Sequence, residues 1–267
     1  MGAVTRYAIG VVVVVLAVSS QYFLPEIWPA SRFVYGSLAG DVAVVYGLPV
    51  VAFLLLVGTG PLRGWRASPR QATVEGLGWY GAMSLLGLLV TVALIFVYLG
   101  FDPGALNLLK KPNPALQAAA GNPWFFVGFS FVVGAFEETI FRGWIFGFWV
   151  GRSSRWLAPA ILSSALFAGV HIYYGTTYGI AAPLIFPTLF FTGFAFAATY
   201  RGNGGNLFVP AALHGGNDAA AYLTLVSLSV GTDLHWALVL GAGLVGLLYY
   251  IHLRSGSGGP VDSPPGP

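Results

Sequence analysis

The 267-residue chain contains no cysteine, which excludes a disulfide framework, thiolate metal sites and a cysteine nucleophile. It is almost as poor in charge. Asp, Glu, Lys and Arg together make up 8% of residues, where an average soluble domain carries about a quarter. Charge this sparse cannot keep folded domains of this length dissolved. The net charge of +3 is also too small and scattered for a nucleic-acid footprint, so no nucleic-acid partner is expected. What is abundant is apolar surface: 57% hydrophobic and 15% aromatic residues, with a mean hydropathy of +0.77. That composition is the opposite of a solvated coil. It describes an integral, multi-pass, all-α membrane protein whose first partner is the lipid bilayer.

Apolar stretches of about 17 to 25 residues, bounded by charges or Pro/Gly clusters, read as membrane helices. About eight are expected, at 8–24, 34–57, 76–100, 123–149, 156–174, 180–200, 206–229 and 235–253. Runs such as Val11–Val15 do not alternate as barrel strands would. Pro183 and Pro187 can kink the sixth helix, and Pro210 falls near the start of the seventh. In domain terms, 1–122 holds the first three helices, 123–225 a core rich in polar residues, 226–254 the last helix region and 255–267 a Gly/Ser/Pro-rich disordered tail.

Basic residues check this count. With both termini cytoplasmic, Arg6, Arg63, Arg66, Arg70, Arg152, Arg155, Arg201 and Arg254 lie inside, against Arg32, Lys110 and Lys111 outside. Only Arg142 falls within a span. The first segment has a second reading, because Arg6, an apolar run and Ala17-Val18-Ser19 resemble a cleavable signal peptide. A retained helix is the expectation, since the run continues to Pro25.

Seven polar residues stand inside the expected spans: Asp41, Glu137, Glu138, Arg142, His171, His214 and Asp218. A charged group at mid-membrane costs about 2.5–3.5 kcal/mol on insertion scales, so such groups usually face a polar interior or a functional path. Spacing of four residues puts Glu138 beside Arg142 and His214 beside Asp218 on one helix face. The first of these pairs reads as structural, each charge neutralising the other. His235 and His252 fall near expected helix ends, and Asp41 reads as a local polar contact. Glu137, His171 and His214 remain. Their expected depths overlap at 1.5 Å per residue, so one shared buried site is permitted. Gly193 and Ala197 form a small-xxx-small pair that suits internal packing as well as dimerisation.

A carboxylate and two imidazoles can activate water. A buried carboxylate becomes a better base, an imidazole shares the proton, and a second imidazole can steady a tetrahedral oxyanion. The same donors, Glu137, His171, His214 and Asp218, could instead hold a divalent metal such as zinc. The chain has no H-E-x-x-H, no G-x-S-x-G and no G-x-G-D, which disfavours other intramembrane hydrolase chemistries.

Three motifs occur in order. Glu137-Glu138-Thr139-Ile140-Phe141-Arg142 resembles E-E-x-x-x-R, Phe167-Ala168-Gly169-Val170-His171 resembles F-x-x-x-H, and His214-Gly215-Gly216-Asn217-Asp218 resembles H-x-x-x-[N/D]. They are the motifs of the CAAX protease and bacteriocin-processing (Abi) family of intramembrane proteases, which includes the type II CAAX prenyl endopeptidases. The resemblance covers roughly 123–225, on the expected fourth, fifth and seventh helices. It implies that Glu137 and His171 activate the attacking water and that His214 with Asp218 forms the oxyanion site. Glu138, Arg142, Phe167 and Asn217 are the expected supporting residues. Where members with Asn have a neutral amide donor, this chain has Asp218, which donates only when protonated. Oxyanion donor, metal ligand and orienter of His214 therefore stand as three readings, and metal dependence stays open. The implied partner is a membrane-presented peptide or protein, a lipidated tail being one form. The rival from another class is a proton- or cation-coupled transporter using the same groups, although no repeat symmetry is visible.

Overall fold

The computed structural model describes residues 1–31, 38–66, 69, 122–150, 155–171 and 182–230. The expected helices at 76–100 and 235–253, the tail at 255–267, and His235 and His252 lie outside the described residues, as does the side chain of Asp41. Among the described residues every regular element is helical. Six elements carry the architecture: α1 (Ala3–Ile27), α2 (38–56), α3 (123–150), α4 (Leu157–Val170), α5 (Ala182–Gly202) and α6 (Phe208–Val230). A helix is the form in which apolar, β-branched runs such as Val11–Val15 can satisfy their own backbone polar groups away from water. Short 3-10 turns follow α1 and α2, at Pro29–Ser31 and Gly60–Arg66.

The expected boundaries shift for identifiable reasons. Helix α1 begins at Ala3 and continues past Pro25 to Ile27, because a proline two residues before the end removes one backbone bond without ending the helix. Pro210 sits in the first turn of α6, where a missing N–H has no intrahelical partner to lose. Helix α4 is shorter than the expected span 156–174. It ends at Val170 with His171 as its cap, and its 14 residues reach about 21 Å, less than the roughly 30 Å hydrocarbon core. Among the described residues, two helices are long and apolar enough to cross a membrane, Ala3–Gln21 and Trp124–Val150.

Two elements contain widened π turns. Helix α2 opens at Val42–Gly47 just before Pro49, a ring that would otherwise press on the carbonyl four residues back. Helix α3 opens at Thr139–Phe146, immediately after Glu137 and Glu138. The expected regular helical period through both segments is therefore broken by one wide turn each.

The chain divides into two compact units, residues 1–67 with 136–207 and residues 68–135 with 208–267. In the first unit, α4 packs along α5, and α1 along α2. Its core is aromatic. Tyr7 stacks on Phe148 at 4.5 Å and bonds the Ile145 carbonyl, and Phe53 stacks on Trp144 at 5.4 Å. The Trp144 indole donates to the carbonyl of Gly58, a residue at φ +88° that turns the chain out of α2. In the second unit, the first half of α3 meets α6 backbone to backbone. A Cβ on Gly134 would lie 2.8 Å from the Gly215 nitrogen, and one on Gly215 would lie 2.6 Å from Phe131 Cα. Only glycine permits that approach.

Candidate functional site

Arg142 organises the first unit. It is 0% exposed, as is Glu138, and its Nη1 donates to Glu138 Oε1 at 2.8 Å. Its Nη2 donates to the Gly193 carbonyl on α5 at 2.7 Å, and its guanidinium lies 4.8 Å over the Phe167 ring. The expected Glu138–Arg142 pair is therefore present, embedded in a larger cluster. Gly193 is at close quarters with this cluster, since a Cβ there would come within 3.1 Å of Arg142 Nη2 and Phe167. Ala197 is fully buried. The small-residue pair thus serves packing inside the chain.

Phe167 joins that cluster to His171. Its ring centroid is 4.9 Å from the imidazole, and its carbonyl lies 2.7 Å from His171 Nδ1. A carbonyl can only accept, so Nδ1 carries the proton and Nε2 is the atom left for chemistry. His171 Nε2 faces Glu137 Oε2 at 3.9 Å. That gap is beyond a direct hydrogen bond, and a water about 2.8 Å from both atoms would subtend roughly 90° between them. On its other oxygen Glu137 accepts from the Tyr46 hydroxyl at 3.3 Å. The carboxylate is buried and lies two residues before the wide turn, whose first residue, Thr139, accepts at Oγ1 from the Trp65 indole at 2.9 Å. Tyr46 and Trp65 were missed in the sequence because each is a single aromatic residue in an apolar stretch, with no spacing that ties it to a motif.

In the second unit, His214 is 4% exposed and its Nε2 lies 3.5 Å from Asp218 Oδ2, one turn along α6. Asn217 donates weakly to the other Asp218 oxygen at 3.5 Å. The glycine crossing at Gly215 immediately follows His214, so helix packing and imidazole placement are set by neighbouring residues.

Residues 119–220 match the family model described as Rce1-like, type II CAAX prenyl endopeptidase. Over this segment the chain is similar to the type II CAAX prenyl endopeptidases. No curated protein and no solved structure matches the chain. The matched segment holds Glu137, Glu138, Arg142, Phe167, His171, His214, Asn217 and Asp218, and leaves α1 and α2 outside it. Among the described residues no group of three or more His, Asp or Glu side chains is gathered closely enough to hold a metal ion. A catalytic zinc takes three protein ligands, and within its own unit each His–carboxylate pair offers two donors. The water chemistry proposed below is assigned to the side chains of the matched segment.

Proposed function

We propose that the chain is an intramembrane endopeptidase that hydrolyses a peptide bond in a membrane-presented, lipidated tail, in a multi-pass protein with both termini cytoplasmic. The observation that carries this reading is the opposition of Glu137 Oε2 and His171 Nε2 at 3.9 Å, with the His171 tautomer set by the Phe167 carbonyl. Water held between them loses a proton to the carboxylate–imidazole pair as its oxygen bonds to the scissile carbonyl carbon. The motif resemblance, not a measured distance, assigns the oxyanion to His214, which Asp218 orients at 3.5 Å. The same proton then passes to the departing amine as the C–N bond breaks. A match to an endopeptidase family over the residues that bear all of these groups does not favour the transporter reading.

The test is purified protein in proteoliposomes with a peptide ending in a farnesylated cysteine and three further residues. Release of the tripeptide is followed by mass spectrometry. Glu137→Gln, His171→Asn and His214→Asn should each lower kcat by about 10²–10⁴-fold, the range for a lost acid–base group, at unchanged melting temperature. Wild-type turnover in all three variants would refute the mechanism. Ion uptake by the wild type without cleavage would return the transporter reading.

A further inference from the structure

We infer that Tyr46 is a positioning residue for the Glu137 carboxylate, an inference that rests on the endopeptidase reading above. Tyr46 lies in the wide turn Val42–Gly47 of α2, 91 residues from Glu137 in sequence and outside the matched segment. It meets two successive residues of α3 in two different ways. Its ring stacks on Phe136 at 5.7 Å and 28°, and its hydroxyl donates to Glu137 Oε1 at 3.3 Å. The stacking fixes the ring, and the ring fixes where the hydroxyl points.

The consequence for Glu137 is a division of labour between its two oxygens. Oε1 is engaged by Tyr46, while Oε2 faces His171 Nε2. A carboxylate held at one oxygen cannot rotate freely about its last torsion, which is otherwise broad and two-fold. The oxygen that takes the proton from water is thereby kept on the His171 side. At 3.3 Å the bond is longer than the usual O–H···O range, so its contribution is to orientation. Orientation matters steeply for the rate, because small displacements of a reacting group cost large factors. The wide turn gives this a structural origin. Wide turns of this kind recur at functional sites, and both partners are placed by one: Tyr46 within the turn of α2, and Glu137 two residues before the turn of α3.

Tyr46→Phe isolates the hydroxyl, since the ring that stacks on Phe136 is kept. With the farnesylated peptide in proteoliposomes, Tyr46→Phe should lower kcat about tenfold with KM and melting temperature unchanged. Tyr46→Leu should lose the same turnover and also melt earlier, because the ring contact goes too. Wild-type kcat in Tyr46→Phe would overturn the inference, as would a turnover loss that comes with an equal fall in melting temperature. Glu137→Gln, measured alongside, separates the two levels. If it is inactive while Tyr46→Phe is fully active, only the role of Tyr46 fails. If Glu137→Gln itself is fully active, the reading beneath it fails.

Discussion

Arg142 concentrates the residue-scale argument. A fully buried guanidinium is costly unless its charge is neutralised, and here Glu138 meets the charge while the Gly193 carbonyl and the Phe167 ring meet two further faces. Removing one partner of a buried ion pair costs about 3–5 kcal/mol, because the other charge is left stranded. Arg142→Ala should therefore melt far earlier in detergent than the wild type, and fluorescence-detected thermal unfolding would measure it. Arg142→Lys keeps the charge but has one ammonium where the fork reached two acceptors, so it should fall between the two. Normal melting of both variants would remove the structural role. The i,i+4 spacing made the Glu138–Arg142 bond legible in the sequence. The Gly193 carbonyl was not legible, because backbone acceptors leave no residue signature. Nor was the use of the Phe167 ring as a link between the arginine and His171, since F-x-x-x-H as a string says nothing of which way the ring faces.

Elements carry a different part of the explanation. Hydropathy found the described helices because an apolar run of sufficient length has few alternatives to a helix in lipid. It misplaced their detail wherever the helical period changed. Tyr46 and Arg142 both lie in wide turns, and a reading at 3.6 residues per turn cannot see those. His171 was expected within a helix and stands instead as its cap, which frees its ring to turn towards Glu137. Glycine contacts give the element-scale prediction. On α3, a Cβ at Gly128 would meet nothing within 4 Å, whereas one at Gly215 on α6 would sit 2.5 Å from Phe131. Gly128→Ala should leave stability unchanged or raise it by up to about 1 kcal/mol through backbone entropy. Gly215→Ala must push two helices apart, at about 1–3 kcal/mol for overpacking. A fall in melting temperature for Gly215→Ala with none for Gly128→Ala would confirm that a tight crossing places the helix bearing His214. Equal shifts would show that the crossing is looser than described.

For the whole molecule, the proposed topology rests on where the few charges lie. Eight arginines fall on one side of the expected spans and three basic residues on the other, a bias that normally marks the cytoplasmic face. The described helices are compatible with it: Arg6 is in the first turn of α1, Arg63 and Arg66 are in the 3-10 turn after α2, and Arg201 is in the last turn of α5. The missing cysteines turn this into a clean experiment, because any single cysteine introduced is the only thiol in the chain. Gly202, at the end of α5, and Ala30, after α1, are both exposed, and neither lies in the proposed catalytic machinery. In sealed, right-side-out vesicles, a membrane-impermeant maleimide should label Ala30→Cys at once. Gly202→Cys and Gly2→Cys should react only after the membrane is opened. Labelling of Ala30→Cys and Gly2→Cys from the same face would mean that α1 does not cross, and with it would go the alternation that assigns every later loop to its side.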